Sequence, residues 1–317
     1  MDMSGDELDA EDAWHTVRRY GMRRLILDSV ARFRFGDGFT NSRALALQMA
    51  LGVVPFMLAL TGLAADVDDD RVANVVARTV GALTPGSGGN DLLAKAIASG
   101  EAQESAGEIA LAFGLVFAVV SMITAVAQVE RGSNRIYGIS RDRPFLWKYG
   151  RGAVMAAVLA VPIASGFALL VAGGPFGDAM QDVYGWTEST DRIWDAVRWP
   201  LGLAVTTFTI AVLLDHAPRR RQPGLSWLGL GAAISVALTM VASALLGLYV
   251  NYSASFGSVY GPLAGVMALL LWCYLTSVAF FFGTAMAAQL EAMHARVAEP
   301  TTGDPGPEGR RAQAFDR

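Results

Sequence analysis

Residues 222–290 form a run of sixty-nine amino acids that contains no Asp, Glu, Lys, Arg or His. A soluble domain keeps charged residues on its surface, so this run is typical of a segment that faces lipid. A helix crosses the bilayer core with about 20 apolar residues, so the run is long enough for two crossings. Polar and turn-forming residues between Asn251 and Pro262 divide it. We therefore predict a helical hairpin with spans at residues 226–250 and 262–288.

Charged residues delimit four more apolar runs upstream of the hairpin, of 22, 21, 26 and 16 uncharged residues. They predict spans at residues 44–65, 109–129, 152–174 and 196–214. The fourth run is short, so we expect its helix to continue back through Trp194. The chain is 53% hydrophobic and 17% charged, which argues against an ordinary cytosolic enzyme. The predicted fold is an all-α, polytopic membrane bundle with six transmembrane helices.

The basic residues are distributed unequally between the two sides of these spans. Twenty of the 25 Lys and Arg residues fall on one side when they are assigned by loop. The positive-inside tendency makes that side cytoplasmic, so both termini are predicted to be inside. Arg greatly outnumbers Lys, which hints at a GC-rich bacterial genome. We expect a multi-pass protein of the bacterial inner membrane.

The ends of the chain differ in composition from the predicted membrane domain, residues 14–295. Residues 1–13 are acidic and polar and predict a disordered tip, and residues 296–317 predict a disordered tail. Arginines alternate with apolar residues over residues 14–35, which predicts a basic helix lying in the membrane interface. This helix either binds anionic lipid or only fixes the topology.

The sequence offers little for an enzyme. His15, His216 and His294 lack the paired spacing of a metal site, and Cys273 is the single cysteine. We therefore predict no metal, no cofactor and no catalytic residue. The net charge of −4 provides no overall basic field for nucleic acid, so no nucleic-acid partner is expected.

Polar residues concentrate at the predicted cytoplasmic ends of the spans. A charge there costs far less than one at mid-membrane. Two interpretations stay open: these side chains are solvated and paired with neighbours such as Arg131, or some of them line a polar cavity open to the inside. The candidates are Gln48, Gln128, Glu130, Asp215, Gln289 and Glu291.

Small residues recur every fourth position in the last span, at Ala279, Gly283 and Ala287, and earlier at Gly257, Gly261 and Gly265. This spacing gives a flat stripe on which another helix packs closely, or a gate that flexes. Pro55 and Pro162 lie inside spans and can kink their helices.

Two sets of motifs resemble one family. The hairpin carries SVYGPL at residues 258–263 and LLLWCYL at 269–275, and the second loop carries NRIYG at 134–138, followed by Arg143, Phe145, Trp147 and Lys148. Together they resemble the YihY/BrkB family of bacterial inner-membrane proteins, once mislabelled as ribonuclease BN. The resemblance implies six spans and a structural role for Pro55, Tyr260, Gly261, Gly265, Trp272 and Gly283.

The chain departs from the family pattern late in the sixth span. Relatives commonly carry a Glu and an Asn or Thr where this chain has Ala285 and Ala287. If that Glu serves transport in relatives, this protein lacks it or uses Gln289 or Glu291 instead.

The leading hypothesis is a non-enzymatic transporter or flippase-like protein for a lipid or envelope-precursor amphiphile. Its expected partners are membrane lipids and the amphiphile, with a second copy of the chain as a further candidate. The predicted headgroup contacts are Asn134, Arg135, Arg143 and Lys148. The alternative is a scaffold that recruits partners and transports nothing, and a ribonuclease fits the residues worst.

Overall fold

The computed structural model describes residues 8–65, 75, 104–139, 142–252 and 264–296. Within these ranges the chain is helical and contains no strand, as predicted for an all-α protein. The hairpin turn with Tyr260 and Gly261, residues 1–7 and residues 297–317 lie outside the described residues. The α-helices are α1 (Ala10–Tyr20), α2 (Met22–Phe35), α3 (Gly38–Ala65), α4 (Glu104–Ile136), α5 (Phe145–Phe167), α6 (Gly173–Tyr184), α7 (Glu188–His216), α8 (Leu225–Tyr252) and α9 (Ala264–His294).

Five described helical segments are long and apolar enough to cross a membrane. They correspond to the second to sixth predicted spans, and α3 contains the first predicted span, residues 44–65. Large apolar side chains on these helices stay exposed, which is the pattern of a surface covered by lipid. The five segments are Ala112–Ile136, Phe145–Tyr184, Glu188–His216, Leu225–Val250 and Ala264–His294.

The third and fourth spans are longer than the charge pattern indicates. A π-helical segment, Ala168–Ala172, joins α5 to α6, so the helix passes Pro162 and the predicted end at residue 174. It ends at Gly185, which takes a left-handed conformation that favours glycine. Helix α7 begins at Glu188 and runs through Trp194, because the Thr187 hydroxyl caps its first turn.

The basic segment at residues 14–35 is two helices and not the single helix that we predicted. Gly21 separates them with φ of +87°, a backbone conformation that side chains rarely adopt. Helix α1 also begins earlier than the predicted ordered boundary at residue 14. The Asp9 carboxylate accepts the backbone N–H groups of Glu11 and Asp12 and so caps a helix that starts at Ala10.

Helix α9 is the most buried helix of the described bundle. The long helices pack in the order α3, α4, α5, α7, α8 and α9, and α9 closes back onto α3. At its crossing with α8, a Cβ atom added at Gly231 would lie 2.7 Å from the Gly283 carbonyl oxygen, and a Cβ atom added at Gly283 would clash still more closely with Ser235 Oγ. The four-residue spacing around Gly283 therefore serves close packing inside this chain.

Contacts between helix ends define one end of the bundle. Thr16 of α1 lies 3.0 Å from Nδ1 of His294 at the end of α9, so both ends of the described chain meet there. The start of α3, the end of α4, the start of α5, the end of α7 and the start of α8 lie at the same end. We call it the polar end, and the opposite parts of the long helices the apolar half.

Candidate functional site

Glu130, for which the sequence left open a solvated span end or a place in a polar cavity, is buried and bound by one arginine. Its Oε2 lies 2.9 Å from Nη1 of Arg143, and only 6% of its side chain is exposed. Arg143 comes from the segment before α5 and also donates to the backbone carbonyls of Ala217 and Pro218, at 3.1 and 3.2 Å. The pair therefore holds the ends of α4 and α7 together, and the partner of Glu130 is Arg143, whereas Arg131 lies near Asp142.

The Asp142 carboxylate, in the segment between α4 and α5, contacts one amide and two basic side chains. It accepts from Nδ2 of Asn134 and from Nζ of Lys148, both at 3.0 Å, and lies 4.0 Å from Nε of Arg131. Burial alone would raise the pKa of Asp142, but these hydrogen bonds and positive charges outweigh it and hold the pKa below its usual value. The Asn134 side-chain oxygen accepts the backbone N–H of Arg219 at 2.7 Å, which ties the α7–α8 loop to this group.

A second group forms at the end of α9, and we call it the α9 cluster. The Arg32 Nε of α2 donates to the Gln289 side-chain oxygen at 2.8 Å, and Arg220 of the α7–α8 loop pairs with Glu291. The Arg220 guanidinium also lies 4.8 Å from the centre of the Tyr137 ring. Arg32 and Arg220 thus bind two polar residues of α9, and Tyr137 packs against Arg220.

Several buried polar atoms of the described residues have no hydrogen-bond partner. Burying such an atom without a partner costs free energy, so the places where several of them lie together are candidates for binding a polar ligand or water. Four of the nine lie on Tyr137 and Glu291 of the α9 cluster or on Gln222, whose side chain is close enough to Tyr137 to act on its pKa. The nine atoms are Ser29 Oγ, Glu130 Oε1, Ser133 Oγ, Tyr137 OH, Arg151 Nε, Gln222 Nε2, Gln222 Oε1, Trp227 Nε1 and Glu291 Oε2.

The other predicted polar residues make separate local contacts. Gln48 accepts the Thr124 hydroxyl at 2.8 Å, and Gln128 donates to the Asn41 side chain at 3.0 Å, so both pairs join α3 to α4. Asp215 contacts its neighbour His216 at 2.9 Å. Gln48, Glu130 and Asp215 therefore have three different partners, and these contacts do not bring them together.

The predicted headgroup contacts divide into two kinds. Asn134, Arg143 and Lys148 are buried or nearly so and bind other protein groups. Arg135 is exposed in the last turn of α4 and makes no ion pair within the described part of the chain. Only Arg135 of these four points an unengaged charge toward the surroundings.

The motif residues have structural surroundings where they are described. Pro55 lies inside α3, Gly265 begins α9, and Gly283 forms the α8–α9 crossing. The Trp272 indole N–H donates to the Ser243 hydroxyl of α8 at 2.9 Å. Trp272 and Gly283 thus fix α9 against α8 at two depths.

Two apolar grooves lie on either side of α7 and share Ala204 and Phe208. The groove between α7 and α8 has a volume of about 490 Å³, and the groove between α5 and α7 about 440 Å³. The first begins near Leu225 at the polar end and reaches Leu203, thirteen residues or about 20 Å of helix before His216. It therefore extends from the polar end toward the middle of the bundle.

Sequence reasoning missed Arg220, Tyr137, Asp142 and Arg219 as site residues. The three consecutive arginines at positions 219–221 were the available signal, but they entered only the count of basic residues. Within the described residues, no group of three or more His, Cys, Asp or Glu is placed to hold a metal ion.

Comparison with known proteins identifies relatives over most of the chain. The family model described as virulence factor BrkB matches residues 29–306. The ribonuclease-like protein YfkH of Bacillus subtilis is 23% identical over 262 residues, which cover 82% of this chain and 92% of YfkH. No solved structure matches the chain.

Two further relatives are described as UPF0761 membrane proteins. The protein from Idiomarina loihiensis is 25% identical over 192 residues, or 60% of this chain, and the protein from Chromohalobacter salexigens is 26% identical over 281 residues, or 87%. The matched residues cover 64% of each of these two relatives, which is just under two thirds of their length.

Proposed function

The chain belongs to the virulence factor BrkB family, as its motifs indicated, and we propose that it moves a lipid or envelope-precursor amphiphile across the bacterial inner membrane. The proposed protein is an integral membrane transporter or flippase that catalyses no covalent reaction. The acyl chain of the amphiphile would lie against the lipid-facing surface of the bundle, and its headgroup would contact the polar end.

The proposed topology has six spans with both termini in the cytoplasm. Helix α3 supplies the sixth span beside the five apolar segments. The hydrogen bond between Thr16 and His294 supports an even number of spans, because it joins the two ends of the described chain. The excess of Lys and Arg on this side supports a cytoplasmic polar end.

The apolar groove between α7 and α8 carries the proposal. Its lining is apolar apart from Thr207 and Ser226, and Ala204 and Phe208 are exposed within it. In a bilayer, an acyl chain is the occupant whose chemistry and shape fit such a surface. Because the groove begins at the polar end, a chain lying in it would place its headgroup beside basic residues of the polar end.

Arg135 is the best placed of the predicted headgroup contacts. Its charge is exposed, whereas Arg143 and Lys148 already bind carboxylates. A single basic residue near an anionic membrane surface contributes about 1 kcal/mol of attraction. Arg135 would therefore recruit an anionic headgroup without holding it tightly.

Lipid translocation in proteoliposomes tests the proposal. The purified chain is reconstituted, and transfer of a fluorescent anionic phospholipid between leaflets is followed by quenching of the outer leaflet. We expect faster transfer than in protein-free vesicles and a several-fold loss with Ala204→Trp, which fills both grooves. Leu245→Trp is the matched control, since Leu245 is an exposed apolar residue of α8 outside the two groove linings.

Transfer no faster than in protein-free vesicles would overturn the proposal and favour the scaffold alternative. Equal transfer by Ala204→Trp and the unaltered chain would instead remove the groove from the mechanism. The ribonuclease alternative, which the name of YfkH suggests, is tested separately. Metal-dependent RNA cleavage by the purified protein that is lost in His216→Ala would contradict the non-enzymatic part of the proposal.

A further inference from the structure

The α9 cluster carries an excess of positive charge in a partly buried place. Arg32 and Arg220 approach from α2 and from the α7–α8 loop, and Glu291 is the carboxylate that both of them face. Gln289 is neutral and accepts from Arg32. Two guanidinium groups thus share one carboxylate, so the cluster has not balanced its own charge.

The contacts in the cluster leave hydrogen-bonding capacity unused. A carboxylate and a guanidinium commonly form two parallel hydrogen bonds, but Glu291 uses only Oε1 toward Arg220 and its Oε2 is buried without a partner. The Tyr137 hydroxyl and the Gln222 side chain lie close enough for Gln222 to act on the pKa of Tyr137, but neither makes a hydrogen bond of normal geometry to the described residues. The cluster therefore contains both donors and acceptors that its own residues do not satisfy.

Because these groups are partly buried, their electrostatic interaction with a bound anion is stronger than it would be in water. Desolvation lowers the pKa of Arg32, and the neighbouring positive charge of Arg220 acts in the same direction. Burial also raises the pKa of Tyr137 well above its usual range, so its phenol stays protonated and can donate. An anion placed here would relieve the repulsion between the two arginines.

The arginines remain reachable from the polar end. The Arg220 side chain is 25% exposed, whereas the Glu291 side chain is 10% exposed. Arg32 is also partly exposed. A ligand therefore meets the guanidinium groups before it meets the carboxylate.

We propose that Arg32 and Arg220, with the Tyr137 hydroxyl and the Gln222 amide, form a phosphate-binding site in which Glu291 occupies the ligand's place when phosphate is absent. A phosphate group presents several acceptor oxygens and suits the planar fork of two arginines. Binding would displace the Glu291 carboxylate from Arg220. Where the phosphate is the headgroup of the transported amphiphile, this inference rests on the proposed function. A free phosphate ion has the same chemistry, and separate titrations distinguish the two sources.

Native mass spectrometry of the full chain in a phosphate-free detergent tests the site. Dioleoyl phosphatidic acid and inorganic phosphate are titrated separately, and dioleoylglycerol serves as the lipid without phosphate. We expect Arg220→Gln and Arg32→Gln each to weaken phosphatidic acid binding about tenfold, because each removes a charged hydrogen-bond donor. We expect Glu291→Gln to strengthen it, because the competing carboxylate is gone.

Arg221→Gln is the matched control, since Arg221 is the exposed neighbour of Arg220 in the same loop. Binding of phosphatidic acid but not of inorganic phosphate would assign the site to a lipid headgroup, and binding of both would assign it to phosphate itself. If Arg220→Gln does not fold, Arg220→Lys keeps the charge but loses the fork and should bind more weakly than the unaltered chain.

Two outcomes would overturn the site. The first is an equal loss of affinity in Arg221→Gln and Arg220→Gln, which would mean attraction to the loop's charge in general. The second is weaker binding in Glu291→Gln, which would mean that Glu291 supports the site and does not compete in it. The translocation assay reports on the groove at Ala204, so failure there leaves this binding result standing, and the reverse also holds.

Discussion

The polar end and the apolar half of the same helices are built on different principles. Along α9, nearly every residue from Ser277 to Glu291 is buried, whereas Val266 near its start is 54% exposed. Along α8, Trp227 is fully buried and Leu245 is 61% exposed. The polar end is held by ion pairs, hydrogen bonds and close glycine contacts, while the described apolar half leaves its side chains for lipid.

This difference suggests a division of labour within the bundle. In lipid, apolar side chains gain little by packing on each other, so polar contacts and close approach must hold the helices together. Those contacts concentrate at one end. The helices are therefore held together mainly at the polar end, whereas both apolar grooves lie along α7.

The largest expected effect comes from breaking the ion pair of Glu130 and Arg143. Arg143→Ala leaves a buried carboxylate without a countercharge, which costs about 3–5 kcal/mol of stability. Val241→Ala, on an exposed site in the apolar half, should change stability by less than about 0.5 kcal/mol. Thermal unfolding in detergent micelles measures both.

The double variant Glu130→Gln/Arg143→Ala is the control for this experiment, and it should recover much of the loss because no buried charge remains. Similar losses in Arg143→Ala and Val241→Ala would contradict the contrast between the two regions.

The second-largest expected effect is on stability, and it comes from replacing one of two glycines of α8 by alanine. A methyl group at Gly231 would lie 2.7 Å from the Gly283 carbonyl oxygen, so Gly231→Ala must push α8 and α9 apart at a cost of about 1–3 kcal/mol. Gly247 has no atom within 4 Å of the same methyl position, so Gly247→Ala should be neutral or slightly stabilising. The free energy of unfolding of the two variants, measured side by side, decides whether close packing is confined to the polar end.

Much of the helix pattern could be predicted from sequence because hydropathy is a local property. The arms predicted at residues 226–250 and 262–288 lie close to α8, Leu225–Tyr252, and α9, Ala264–His294. The break at Gly21 was missed because an unusual backbone angle at one glycine leaves no trace in hydropathy. The extension of the third span to Tyr184 was missed because Asp178 and Asp182 suggested a loop, although they lie in a helix.

The candidate site was predictable only in part. Sequence placed Glu130, Gln289 and Glu291 at one end of the bundle, since each closes an apolar run. It could not pair them, because Arg32 and Arg220 come from parts of the chain distant from Gln289 and Glu291, and Arg143 is one of several basic residues in the segment that follows Glu130. Burial of these carboxylates also depends on that pairing, so they were expected to be more solvated than they are.

The smallest expected effect concerns a hydrogen bond deeper in the bundle, between the Trp272 indole and the Ser243 hydroxyl, 2.9 Å apart. Interhelical hydrogen bonds in membrane proteins contribute about 0.6 kcal/mol on average, because the separated helices find other partners in the membrane. A double-mutant cycle with Ser243→Ala and Trp272→Phe should therefore give a coupling of that size. The same cycle on Asn41 and Gln128, nearer the polar end, tests whether hydrogen bonds there are stronger. A larger coupling at Trp272 than at Asn41 would mean that polar contacts hold the helices together along their whole length and not mainly at the polar end.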